Sequence, residues 1–185
     1  MTLYGPSQTT SVSKVFAAVE KVGKRYTLVP FKIEGFGCFD GKGGKVICAG
    51  ITASPELDKL RLELARELSK ISTPQPWDAL PDYRFHTTIA FKDIDYKANQ
   101  IWHYLMIKDA PHINQHLLRI TILNKDRRIL GEYDLILRRW LNRRQALSRH
   151  WRRRTVNKLR ELQGLPPEGQ ASLLDWLRGI FNWPR

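Results

Sequence analysis

Apolar positions recur along this chain with two different periods. In SQTTSVSKVFAAVEKV, Val12, Val15, Phe16, Val19 and Val22 fall three or four residues apart, the spacing of one helical face. The same period returns in SPELDKLRLELARELSKI. There Leu57, Leu60, Leu64, Leu68 and Ile71 form a stripe, with Leu62 off its axis. Ser54 suits the cap of that helix, Pro55 its first position and Glu56 its first turn. A third helix is predicted in DIDYKANQIWHYL, with Ile101, Tyr104 and Leu105 inward.

Elsewhere the pattern is that of strands. Thr2, Leu3 and Tyr4 read as a strand end, stopped at once by Gly5-Pro6. Residues 28–33 and 35–39 read as extended chain, DGKGG as a turn and 45–51 as a second strand, which together make a hairpin. TPQPWDALPD is a proline-rich loop, and YRFHTTIAF is a strand. Two more strands flank Asn124-Lys125-Asp126. Thr121, Ile122 and Leu123 precede the turn, and Tyr133, Leu135 and Leu137 alternate after it. From Asn142 the chain reads as a basic helix to about Leu162. A Gly164-Leu165-Pro166-Pro167 break follows, then a short helix through Leu173, Trp176 and Ile180. This order predicts an α+β fold with mostly antiparallel sheet.

At 185 residues the chain has room for one domain with an extension and a substantial core. Charge changes the picture more than length does. The net charge is +13, with a pI near 10.0, which points to a polyanionic partner, nucleic acid first. Residues 138–160 hold ten Arg and Lys and no acid, so the rest of the chain carries a net charge of only about three. The basic arm is read either as a solvated surface helix packed by Leu147, Trp151 and Leu159, or as an element that tracks phosphates, with Arg143, Arg144, Arg152, Arg153 and Arg154 as its contacts. Trp140 and Trp151 are placed either to stack on bases or to anchor the arm.

Cys38 and Cys48 flank DGKGG almost symmetrically, which would let them face each other on a hairpin; two reduced, buried thiols are the expectation. The five histidines are scattered, and no Cys/His spacing fits zinc, so neither metal nor cofactor is expected. The N-terminal residues show no basic segment followed by an apolar run. No stretch approaches the ~18 apolar residues of a membrane span. A cytoplasmic monomer is the expectation.

RFHTTIAF carries the chemical content. Alternate side chains of a strand share a face, so Arg84, His86 and Thr88 are predicted on one face, and Phe85 and Ile89 on the core side. Imidazole moves protons near neutral pH, while a hydroxyl and a guanidinium can hold phosphate oxygens.

The pattern His, any residue, Thr or Ser, apolar resembles the signature of the 2H phosphoesterase superfamily, which includes the 2′-5′ RNA ligase-like proteins and the cyclic phosphodiesterases. EGFGCFDGKGGKVICAGITASPELDKLRLELARELSKI followed by FHTTIAF resembles that family's second half: hairpin, helix, motif strand. The resemblance covers roughly residues 1–137. It implies a two-lobed, duplicated fold around a central cleft. The expected division is a phosphoesterase-like domain over 1–141, its first lobe incomplete, and a basic helical extension over 142–185. The family's first motif often runs His-x-Thr-Leu-Tyr-Gly-Pro, and MTLYGP is similar to its tail. Thr2 then matches Thr88, and the partner of His86 falls one position ahead of Met1.

The resemblance further implies a metal-independent reaction on RNA phosphodiesters, such as a 2′,3′-cyclic phosphate or a 2′-5′ linkage. One imidazole acts as base and the other as acid, and the hydroxyls hold the non-bridging oxygens. His86 becomes the acid/base and Thr88 and Thr2 the phosphate ligands, with Arg84 and Tyr4 as further substrate contacts. Three expectations follow for the missing partner, the first of them favoured. Residues precede Met1 in the native protein; the protein is a degenerate member that binds RNA ends without cleaving them; or His103 or His116 takes the place. An RNA-processing enzyme and an RNA-binding module are therefore both carried forward.

Overall fold

The computed structural model describes residues 1–41, 43–81, 83–92 and 94–167. The helix expected through Leu173, Trp176 and Ile180 lies outside the described residues. The chain forms two compact units, Met1–Leu117 and Leu118–Arg185, and the architecture is α+β, as the element order predicts.

In the first unit, α1 (Val12–Gly23) begins where the Ser11 hydroxyl accepts from the Lys14 amide. Strands β1 (Pro30–Gly41) and β2 (Gly44–Ala53) make the hairpin. Helix α2 (Pro55–Ser69) starts as its sequence dictates, with Ser54 Oγ accepting from the Leu57 amide and Pro55 in the first turn. Strand β3 (His86–Phe91), helix α3 (Ala98–Met106) and strand β4 (His112–His116) complete the unit. The sheet is antiparallel in the order β3-β2-β1-β4. Leu57, Leu60, Leu64 and Leu68 of α2 are buried, together with Val19 and Val22 of α1. Two ion pairs tie the helices at their rim, Lys21 to Glu67 at 2.9 Å and Arg25 to Glu63 at 3.1 Å.

Two bulges shape this sheet. Pairing of β1 with β2 shifts between Glu34 and Phe36, leaving Gly35 as the extra residue at φ +68°, a conformation glycine adopts without strain. Its N–H donates to the Pro111 carbonyl. Pairing of β2 with β3 shifts between Cys48↔Thr88 and Ile47↔Ala90, leaving Ile89 extra.

Several expectations are corrected. Ile89 is 49% exposed rather than in the core, because the bulge breaks the alternation on which that expectation rested. Residues 2–4 are irregular rather than a strand. Tyr104 points outward, 59% exposed, since α3 buries only Ala98. Cys38 pairs with Ile47, and Cys48 with Gly37, so the two thiols do not face each other across the hairpin, and only Cys48 is buried while Cys38 is exposed. Strand β4 escapes the hydrophobic pattern because it is an edge strand of polar residues, His-Ile-Asn-Gln-His, held by backbone pairing to β1.

The second unit contains β5 (Arg119–Leu123), β6 (Ile129–Asp134) and β7 (Arg139–Leu141), in that order in one antiparallel sheet, followed by α4 (Arg143–Ala146) and α5 (Arg149–Leu162). The turn between β5 and β6 is held by Asn124, whose side-chain oxygen accepts from the Asp126 and Arg128 amides. The expected single basic helix is two, with an Asn142–Gln145 capping box opening the first.

Helix α5 is fastened by polar contacts. Thr155 is fully buried and donates to the buried Asp134 carboxylate, while Arg119 donates to Asp134, Glu132 and Thr155. Removing one partner of such a buried pair costs about 3–5 kcal/mol. Leu147, expected to pack the arm, is 65% exposed.

The α1–α2 rim gives a pH prediction. Hydrogen bonds from Lys21 and Lys70 pull the Glu67 carboxyl down from 4.5 to about 2. Its contribution to stability is therefore full above about pH 4.5 and disappears as pH falls through about 2. Denaturation midpoints of the wild type and Glu67→Gln, measured in low salt, should differ slightly near neutrality and converge across that window.

Candidate phosphodiester site

His86 opens β3 on the sheet's edge. Its Nδ1 lies 3.2 Å from the Arg84 carbonyl. A carbonyl only accepts, so Nδ1 carries the hydrogen and Nε2 is left to take or give a proton. The ring also meets the edge of Phe39, with centroids 5.3 Å apart and planes at 78°. Phe39 stands on β1, and its reach to His86 crosses the row Thr88–Cys48–Gly37, where glycine supplies no side chain.

His86 and Thr88 precede the bulge, so they share a face about 7 Å apart along the strand. Thr88 is exposed. Cys48 lies opposite Thr88 and is buried, which pushes its thiol pKa up and keeps it protonated. Phe85, on the other face, is buried as expected. Arg84 lies before the strand begins, is exposed, and lines a pocket with Glu34, Gly50, Thr52, Asp58 and Tyr83.

The opening residues are held by a different set of partners. The Gly5 amide donates to Asp78 Oδ1 at 2.8 Å, and the Gln75 amide to Asp78 Oδ2 at 2.9 Å. The Gln75 side chain donates to the Pro6 carbonyl at 2.7 Å. A Cβ on Gly5 would lie 2.8 Å from Gln75 Cγ and 3.1 Å from Trp77 Nε1, so the residue after Tyr4 has to be glycine for this fit. The Tyr4 hydroxyl lies 3.1 Å from Ser72 Oγ, and burial raises its pKa. Thr2 is exposed. Among the described residues, no hydrogen bond joins Thr2 or Tyr4 to His86 or Thr88.

Beneath these contacts lies Arg61, which is fully buried in α2. It donates to the Asp78 carbonyl at 2.9 Å and to the Leu80 carbonyl. Its guanidinium sits 4.5 Å from the centre of the Tyr83 ring, and Tyr83 contacts Phe85 edge to face. Sequence reasoning missed Arg61, Asp78 and Phe39. The signal for Arg61 was a cation beside Leu60 and Leu64 on an otherwise apolar stripe.

The arm residues Arg143, Arg144, Arg152, Arg153 and Arg154 are all exposed. Arg139 and Arg154 lie over the Trp151 ring, each 4.6 Å from its centroid. Trp140 meets Tyr133 edge to face. Both tryptophans thus have protein partners. Among the described residues, no three His, Cys, Asp or Glu side chains converge as a metal site, and no helix is long and apolar enough to cross a membrane.

In comparison with protein families, the family model described as the 2'-5' RNA ligase superfamily fits residues 1–128. No curated protein and no solved structure matches the chain. The matched span takes in the MTLYGP segment, the hairpin and the His86 strand, and stops short of the basic helices.

Asp78→Ala should leave the buried Gly5 amide and the partly buried Gln75 amide without an acceptor and free the Gly5 segment. Each orphaned amide costs about 1–3 kcal/mol, so chemical denaturation should show a loss of about 3 kcal/mol. Trp77 fluorescence should report the loosened loop. An unchanged midpoint would contradict the anchoring role given to Asp78.

Proposed function

We propose that this chain, which belongs to the 2′-5′ RNA ligase superfamily of 2H phosphoesterases, acts on RNA phosphodiester ends, either a 2′,3′-cyclic phosphate or a 2′-5′ linkage. The observation that carries this reading is the His86 imidazole, oriented by the Arg84 carbonyl and Phe39 and sharing a face with the Thr88 hydroxyl.

His86 Nε2 serves as the acid/base. As base it takes the proton of an attacking water or ribose hydroxyl, whose oxygen bonds to phosphorus. As acid, already protonated, it gives the proton to the ribose oxygen that leaves as its bond to phosphorus breaks. Thr88 donates to a non-bridging oxygen, and Thr2 is its counterpart in the first motif. Arg84 adds positive charge beside the phosphate, and Tyr4 supports the Thr2 segment. His86 accounts for one of the two proton transfers of the family scheme. No residue among 1–185 is assigned the other, so residual binding with low turnover is expected of this chain.

The second reading is an RNA-binding module that does not cleave. It is favoured by the exposed Arg152, Arg153 and Arg154 on a helix fixed in place by buried Thr155. The two readings are compatible, since an arm that gathers RNA serves an enzyme as well as a binder.

An oligonucleotide ending in a 2′,3′-cyclic phosphate tests the first reading. The chain should bind it, and His86→Ala should reduce whatever turnover is measured by roughly 10²–10⁴-fold. Equal turnover by the variant would remove His86 from the reaction, and no binding to cyclic-phosphate ends would sink the phosphoesterase assignment. For the arm, affinity for single-stranded RNA should fall with salt. Replacing Arg152, Arg153 and Arg154 together by Gln should flatten the plot of log affinity against log salt. The slope should drop by about 0.7 for each phosphate that is no longer neutralised. A slope unchanged by the triple substitution would mean that the arm does not track phosphates.

A further inference from the structure

The pocket beside His86 combines groups of both charges. Arg84 lines it together with Glu34, Asp58, Gly50, Tyr83 and Phe85, while His86 is not itself among the lining residues. Strand register relates this pocket to the imidazole. His86 pairs with Gly50 across β3 and β2, and Gly50 pairs with Glu34 across β2 and β1. Directly opposed residues of antiparallel strands share a face, so His86 and Glu34 stand on one face, two strand spacings or about 10 Å apart. Gly50 has no side chain to fill the space between them. Nor can it easily gain one, because a Cβ there would lie 2.6 Å from the Glu34 carbonyl oxygen.

Glu34 is held where it stands. Its Oε1 lies 2.9 Å from Nδ1 of His112, the next residue along the same row, on β4. A carboxylate has about four lone-pair sites, and this contact uses one. The others are free to accept from a ligand in the pocket. The row therefore offers a proton-transfer group at one end, an unfilled gap over glycine, and a fixed acceptor at the other end. A nucleotide has matching parts: a phosphate, a flat sugar-base span, and a base edge.

We infer that this pocket is a nucleoside subsite, in which the base of a 2′,3′-cyclic nucleotide lies over Gly50 and donates its amino group to Glu34. This rests on the phosphoesterase reading of His86. The subsite selects bases that present an amino donor. Cytosine donates from N4, whereas uracil presents a carbonyl acceptor at the same place, which the carboxylate repels. The two bases match in size, so the comparison isolates the polar contact.

The experiment titrates wild type, Glu34→Gln and His86→Ala with cytidine and uridine 2′,3′-cyclic phosphates, by calorimetry and by amide shifts in NMR. Wild type should prefer cytidine by about tenfold, within the range of one good base-edge contact. The cytidine-induced shifts should include Glu34, Gly50 and Arg84. Glu34→Gln should bring the ratio toward one, since the Gln amide can donate to uracil. His86→Ala should keep the preference while losing turnover. Equal binding of the two nucleotides by wild type, equal weakening of both by Glu34→Gln, or shifts confined to other residues would overturn the subsite and leave the phosphoesterase reading standing. Failure of wild type to bind either nucleotide would overturn both.

Discussion

A buried guanidinium sets the geometry of the first unit. Arg61 is inaccessible to water, and a buried charge is tolerated only where acceptors surround it. Asp58 of α2 contributes a favourable charge, and the chain that follows supplies the acceptors. The carbonyls of Asp78 and Leu80 and the face of Tyr83 do so. That requirement folds the proline-rich loop back over the helix. Once Asp78 is fixed, its carboxylate takes the Gly5 and Gln75 amides and gathers the N-terminal segment as well. Three stretches with little regular structure thereby acquire one arrangement. The last of them runs through Tyr83 and Phe85 into His86.

What the sequence disclosed follows from which forces were local. α1 and α2 are legible because capping, Pro55 and the apolar stripe all lie within the elements themselves. His86 and Thr88 are legible as same-face neighbours because alternation holds up to Thr88. It fails at Ile89, where an extra residue enters and nothing in RFHTTIAF announces it. The resemblance of MTLYGP to a motif tail is legible, but its conformation is not. Tyr4 and Gly5 are held by the side chains of Ser72 and Asp78, some seventy positions away. Strand β4 is hidden for the same kind of reason: its stability lies in backbone pairing to β1, not in its own polar residues.

The second unit solves a different problem. A helix as basic as α5 gains little from burying an apolar face, and only Thr155 among its residues is fully covered. The Arg119–Glu132–Asp134–Thr155 cluster replaces that missing hydrophobic contact with satisfied hydrogen bonds. The cluster faces the sheet, so the arginines on the rest of the helix are left outward. The charge in the sequence thus comes from an element whose attachment is polar, which is why reading it as a helix packed by leucines misplaced Leu147.

The orientation of His86 ties these points together. A histidine on an exposed edge strand could turn freely and offer either nitrogen. Two constraints prevent this, one a backbone carbonyl and the other an aromatic ring, and neither is a titrating group. The Arg84 carbonyl commits Nδ1, and that carbonyl keeps its character at any pH. Phe39 fixes the plane of the ring, and it reaches across because Gly37 leaves the intervening row low. A Cβ at Gly37 would also come within 3.2 Å of the buried Cys48 sulfur. The glycines of the hairpin, which read in the sequence as turn and strand punctuation, thus clear the space in which one nitrogen of one imidazole is left open for proton transfer.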